Sequence, residues 1–298
     1  MLAFIDLLPS ERRGIARHTR LSNYLAPVLY APRVVGDFQP LGKDGESVLH
    51  IRLPLGKENW NQLNREVKEK LFQKLTPVFG GPEKIYAAAD RRFRQEFQGY
   101  MPSESFLWGD WFQMALMLVL VRHYIQHHAV RRLIFVVEEV EHLGGFIEYI
   151  HRTGTVIMLQ NLHPVYLEPF CWKMLHEKGI AVSCGGLRPQ EWKKDDFIIS
   201  FQPGMREVVK KYPRNHLILD DFSAGLAPEV ENQMLHAGLD GKLAAAAPLL
   251  EYYLLKNQPQ ICGPERGMDA EFWQNMISQG EKTGLWRAFL DKGKAEFI

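Results

Sequence analysis

Leu133-Ile-Phe-Val-Val137, running into Glu138-Glu-Val-Glu-His-Leu-Gly-Gly145, is the stretch on which the fold turns. Five consecutive apolar residues read as a strand buried on both faces, and the glycine pair opens a helix expected over Gly144 to Arg152. The same rhythm recurs downstream. Thr155-Val-Ile-Met-Leu159 is a second strand, with its helix over Val165 to Glu177. Ile180-Ala-Val-Ser183 is a third, Asp196-Phe-Ile-Ile-Ser200 a fourth and His216-Leu-Ile-Leu-Asp220 a fifth. Apolar strands alternating with helices signal a parallel sheet covered on both faces. Right-handed crossovers make it a Rossmann-like, doubly wound α/β sheet.

Upstream, Leu2 to Leu8 reads as a short strand, and Ser10 as the N-cap of a helix running through Arg20. The Pro/Gly-punctuated stretch from Pro27 to Gly45 reads as a loop. Ser47 to Leu53 alternates Val48, His50 and Arg52 against Leu49, Ile51 and Leu53, the period of a strand with one wet face. Trp60 to Phe79 reads as one helix and Lys84 to Ala89 as another strand. The expected organisation is a smaller N-terminal α/β domain over 1–109 and a long apolar connecting helix within 110–130. The Rossmann-like domain follows over 131–256, and C-terminal helices over 257–298 pack back. Ala244 to Leu255 and Asp269 to Phe289 supply the last two helical stretches.

Composition excludes several classes. Of 298 residues, 46% are hydrophobic and 24% charged, and the net charge is +1, so no basic field is offered to nucleic acid or an anionic membrane. The longest apolar run, Trp111 to Val121, is too short to cross a bilayer. The start at Met1-Leu-Ala-Phe reads as a strand rather than a secretory signal. Cys171, Cys184 and Cys262 are spaced like neither a zinc site nor a disulfide framework, which suits a reducing, cytoplasmic setting.

In a doubly wound sheet the ligand crevice lies at the carboxyl ends of the central strands, and the loop after the first strand carries glycines so that backbone can approach a pyrophosphate. Here Glu138 and Glu139 stand where the early glycines belong, Glu141 follows, and only Gly144 and Gly145 remain. Carboxylates at the positive end of a helix repel a diphosphate by on the order of 1 kcal/mol per contact, which disfavours NAD(P). The plainer reading is that the glutamates cap the helix and face solvent. The second strand ends at Gln160-Asn161, with neither an acid for a ribose nor an arginine for a 2′-phosphate. Cys184 with Gly185 and Gly186 is expected just beyond the third strand, as a nucleophile or as small residues in a tight turn. Asp220 and Asp221 end the fifth strand, where paired acids could hold a cation or form a turn. His123 and His127 share one helix face without a third ligand, so a solvated helix end is favoured over a metal. The candidate ligand-binding set is Glu138, Glu139, Gly144, Gly145, Asn161, Cys184, Gly185, Asp220 and Asp221, with no catalytic residue and no metal ligand assigned.

Phe4-Ile-Asp-Leu7, Gly109-Asp110 before the long helix, Ile218-Leu-Asp-Asp221 before Pro228-Glu-Val230, and the helical order from Ala244 through Leu290 together carry a resemblance. The chain resembles the long-chain acyl-acyl-carrier-protein reductases and related predicted amino-acid dehydrogenases, and shares a general layout with shikimate dehydrogenases. The resemblance implies an NAD(P)-dependent oxidoreductase. It also implies a Gly-Ala-Thr-Gly-x-x-Gly type loop where this chain has Glu138 to Gly145, and a nucleophilic cysteine where it has Ala244-Ala-Ala-Ala247. The lysine/aspartate pair of the shikimate enzymes has no assigned counterpart.

Three functions follow as expectations. The first is a descendant without NAD(P) catalysis that binds a small molecule or a protein partner. The second is an active oxidoreductase with an atypical cofactor loop. The third is an enzyme using the acidic edge for a cation. A homodimer stays open.

Overall fold

The computed structural model describes residues 1–8, 19–40, 46–75, 86–97, 99–100, 106–140, 143–201, 206–211, 215–218, 226, 228–256, 269–287 and 289–290. In chain order its elements are β1 (Leu2–Leu7), α1 (Thr19–Leu29), β2 (Arg33–Phe38), β3 (Val48–Leu53), α2 (Lys57–Gln62), α3 (Arg65–Gln73), β4 (Tyr86–Ala89), α4 (Arg94–Phe97), β5 (Phe106–Leu107) and α5 (Asp110–His127). Then come β6 (Arg132–Val136), α6 (Gly144–His151), β7 (Val156–Asn161), α7 (Glu168–Lys178), β8 (Val182–Gly186), β9 (Asp196–Ser200), α8 (Arg206–Lys210), β10 (Asn215–Ile218), α9 (Pro228–His236), α10 (Leu243–Leu255) and α11 (Ala270–Lys282). Packing divides the chain into two compact units. One holds Met1–Phe112 with Leu226–Pro264, and the other Gln113–Gly225 with Glu265–Ile298.

The second unit carries a five-stranded sheet in the order β10-β9-β6-β7-β8, every neighbour parallel. Counted along this unit, the order is 5-4-1-2-3, the doubly wound arrangement. One face bears Ile134, Val136 and Ile198, packed with Trp192 and Val209. The other bears Phe135 and Phe197, whose rings meet Phe146 of α6 at 5.8 Å and Tyr124 of α5 at 4.5 Å. Trp273 of α11 closes on Phe146 at 6.0 Å, which places α11 in this unit. Both faces are covered, which is why the strands read as continuous apolar runs.

The first unit carries the sheet β2-β3-β1-β4-β5, parallel except for antiparallel β2. Its core sets Ile5, Ile51 and Leu53 against Trp60, Leu71, Phe72 and Phe97. Each such large side chain, fully withdrawn from water, contributes about 1.5–3 kcal/mol. Helices α9 and α10 belong to this unit, whereas the sequence boundaries kept 226–256 with the Rossmann-like strands. Gly109 explains the fit of α10. It sits at φ +81°, and a Cβ there would lie 2.6 Å from Ala247 Cβ, so glycine facing the alanine run lets the two segments touch.

Several local expectations change. The helix expected over Trp60 to Phe79 is broken into α2 and α3, because Asn64 accepts the Val67 N–H at 2.9 Å and starts a new helix as its N-cap. Residues 76–79 lie outside the described set, as do 9–18 with the expected Ser10 cap. The expected loop from Pro27 contains the end of α1 and all of β2. That strand is exposed at five of six positions and bulged between Val34 and Gly36, so it lacks an apolar period. The expected wet face of β3 is instead a buried polar layer, with His50 only 2% exposed.

Asp196, fully buried at the start of β9, accepts from Arg132 Nε and Nη2 at 2.8 Å each, from Arg131 Nη2 at 3.2 Å and from the Lys193 backbone N–H at 2.8 Å. Burial would raise this carboxyl, but Arg132, the Lys193 amide and Arg131 outweigh it and hold it below the usual aspartate range. Removing one partner of a buried pair leaves an uncompensated charge. Asp196→Ala is therefore expected to cost about 3–5 kcal/mol in urea unfolding. A loss within a few tenths would show that the arginines are solvated without it.

Candidate functional site

Parallel strands end on one edge, and in each unit the ligand crevice is expected where the chain leaves adjacent strands in opposite directions. In the second unit β6 leads towards β7 and β9 towards β10, so the crevice lies between the ends of β6 and β9. Val137 donates to Gln160 O at 3.0 Å and then the chain leaves the sheet. Glu138 and Glu139 are exposed there. Leu143, not a glutamate, holds the N-cap position of α6 and makes no side-chain cap. Space is open where a Cβ on Gly144 would sit, and Gly145 is buried in the first turn.

Asn161 is the last residue of β7 and 4% exposed. Its amide donates to Val137 O at 2.7 Å and Glu138 O at 3.1 Å, and its Oδ1 accepts the His163 N–H at 2.6 Å. Both of its amide hydrogens thus tie down the loop that a cofactor would approach, and its oxygen holds the turn after β7. Gln160 accepts from Trp192 Nε1 at 2.8 Å. Cys184, Gly185 and Gly186 lie inside β8, in register with Leu159, Gln160 and Asn161, and not in a turn after it. The expected strand over 180–183 therefore begins two residues too early, because Ile180 is drawn into the cap of α7 by donating to Met174 O at 3.1 Å. Asp220 and Asp221 lie outside the described residues, as does Glu141. The sequence reading missed Phe201, just past β9. Its ring stacks on Phe135 at 5.8 Å and meets Phe146 edge-on at 5.2 Å, so an aromatic ring stands at the switch point.

The first unit has its own switch point. From β1 the chain moves towards β3, and from β4 towards β5 on the other side, so the crevice falls between the ends of β1 and β4. The register pairs Asp6 with Arg52 and Ile5 with Ala89, which brings Asp90 beside Asp6. Ala88 pairs with Leu107, which brings Gly109-Asp110 to the same edge. A row of ionic groups results. Asp6, 5% exposed, accepts from His50 Nε2 at 2.9 Å and from Arg52 Nη2 at 3.1 Å, while Arg52 also donates to Gly238 O at 2.9 Å. Asp90 accepts from the Arg92 backbone N–H at 2.9 Å and from its Nε at 3.0 Å, and Arg92 continues to Asp240 at 2.8 Å. Asp110 takes Arg91 at 3.1 Å and Arg94 at 2.8 Å. The side chains of Arg92 and Arg94 remain 45% and 43% exposed although both are paired with these carboxylates.

Glu251 of α10 lies beneath this row, 2% exposed. It accepts the backbone N–H groups of Trp111 at 2.8 Å and Phe112 at 3.2 Å, the orphan donors of the first turn of α5. Burial, reinforced by the charge of Asp110, pushes its carboxyl up to about 8 against the pull of those two amides and Arg91. The row was illegible in the sequence because its members come from four strand ends and the α9–α10 segment. Among the described residues no group of three or more His, Cys, Asp or Glu is placed to hold a metal ion.

No family model and no curated protein matches the chain. Among solved structures it is similar to L-tryptophan dehydrogenase from Nostoc punctiforme, at 8% identity over 99% of this chain and 88% of that one, with a TM-score of 0.38. A likeness at that level carries no argument for shared chemistry.

Glu251 predicts a pH dependence. Between its usual 4.5 and about 8 the folded protein keeps a proton that the unfolded chain releases. Stability should therefore fall as pH rises through that window, by about 1.4 kcal/mol per unit from this group, and level off above it. Denaturant titrations from pH 5.5 to 8.5 should show the slope in the parent and lose it in Glu251→Gln; equal slopes would contradict the assignment.

Proposed function

We propose that the chain is a small-molecule-binding protein on a dehydrogenase-type α/β plan that no longer carries out NAD(P)-dependent catalysis. The observation that carries this reading is the division of labour between the two edges. At the second unit's edge, where a dinucleotide would need close backbone approach, exposed Glu138 and Glu139 stand in place of glycines, Asn161 is spent on the loop and Phe201 fills the switch point. At the first unit's edge, the partly exposed side chains of Arg92 and Arg94 stand beside Asp90, Asp110 and Asp240.

The chemistry selects a small bipolar ligand. A guanidinium pairs with a carboxylate in a bidentate manner, and the neighbouring carboxylates take an ammonium or hydroxyl. Amino acids and hydroxy acids have that form. Ala244–Ala247 contribute no nucleophile, and the small side chain of Ala247 serves the contact with Gly109.

One observation favours an oxidoreductase with an atypical cofactor loop as a second reading: Gly144 opens α6 with no Cβ in the way and no side-chain cap. The two readings separate in a thermal-shift screen of amino acids and hydroxy acids at millimolar concentration. At least one compound should raise the melting temperature of the parent, and Arg94→Gln should remove that shift while Gly144→Asp leaves it. No shift with any compound, or a shift lost only in Gly144→Asp, would overturn the proposal.

A further inference from the structure

Two of the three cysteines are brought together by packing that neither edge described above requires. Leu167 at the N-cap of α7 and Cys171 and Met174 on it fall at spacings of four and three and are 1%, 8% and 3% exposed, so they form the sheet-facing row of the helix. On β8, Cys184 stands opposite Leu159, which is fully buried and in turn opposite Phe135. Cross-strand partners share a face, and the Phe135 ring meets Phe146 of α6, so Cys184 is on the face that α6 covers. The successive right-handed crossovers from β6 to β7 and from β7 to β8 put α7 on that same face. The link between α7 and β8 is held short. Gly179 closes the helix at φ +67° with its N–H on Leu175 O at 3.0 Å, and Ile180 donates to Met174 O at 3.1 Å. The Cys184 thiol lies close enough to Cys171 to raise the Cys171 thiol.

We propose that Cys171 and Cys184 are a reversible dithiol that a hydroperoxide converts to a disulfide, clipping the edge strand β8 to α7. Cys184 is half-exposed and reacts first. Its thiolate attacks the peroxide, the O–O bond breaks, an S–O bond forms and water or an alcohol leaves, giving a sulfenic acid. Cys171 then gives up its proton and attacks that sulfur. The S–S bond forms, and the departing hydroxide takes a proton and leaves as water. Two electrons pass from the sulfurs to the peroxide, and a dithiol reductant reverses the exchange. Cys171 suits the second role and not the first. Burial, with the Cys184 thiol beside it, pushes its own thiol up to about 12, so it carries little thiolate until a sulfenic partner stands in contact.

The test uses the reduced full-length chain, treated natively with hydrogen peroxide, quenched, alkylated and mapped by peptide mass spectrometry. The expected product is one peptide pair joined through Cys171 and Cys184, with Cys262 alkylated and both thiols restored by dithiothreitol. Cys262→Ser should leave the link unchanged, and Cys184→Ser should leave Cys171 alkylatable. Conversion of Cys184 to a sulfinic or sulfonic acid with Cys171 still free would overturn the proposal. So would a link that recruits Cys262, or a Cys184 inert in the folded protein.

Discussion

Parallel pairing makes successive strands end on the same edge, so residues remote in sequence are gathered wherever the strands stop. In the first unit that constraint assembles Asp6, Asp90 and Asp110 with their arginines along one line. In the second it delivers Val137, Asn161 and Phe201 to the mouth of the sheet. The direction in which the chain leaves each strand then fixes where a crevice can open.

The edges differ in how their polar groups are satisfied. Around β6 and β7 the hydrogen bonds run inward: Asn161 binds the loop backbone and Gln160 binds Trp192, leaving carboxylates outermost. Around β1 and β4, Asp6 and Asp90 are buried and the side chains of Arg92 and Arg94 stay partly exposed. On the proposed reading a diphosphate would meet repulsion at the former, and a carboxylate donors at the latter. Glu251 fits the same balance. It is held neutral near physiological pH beneath an ionic row, so it can satisfy two amides of α5 without adding a further buried charge.

Much of the second unit was legible because its strands are covered on both faces and so read as unbroken apolar runs; β6, β7 and β9 fall within a residue or two of expectation. The failures have physical causes. Strand β2 is exposed at most positions, β5 has two residues, and Asn64 interrupts an otherwise regular apolar period as a cap. His50 and Arg52 looked like a wet face because a sequence period shows polarity, not the partner that satisfies it; Asp6 is that partner. The acidic loop could be read directly, since missing glycines are visible without a structure. The ionic row could not, because only the register unites its members.

The proposal that the second unit holds no dinucleotide on its doubly wound sheet is decided by isothermal titration of the chain with NADPH and then NADH at modest ionic strength. No binding heat is expected at millimolar cofactor. Micromolar binding of either nucleotide, weakened by Gly144→Asp, would contradict it.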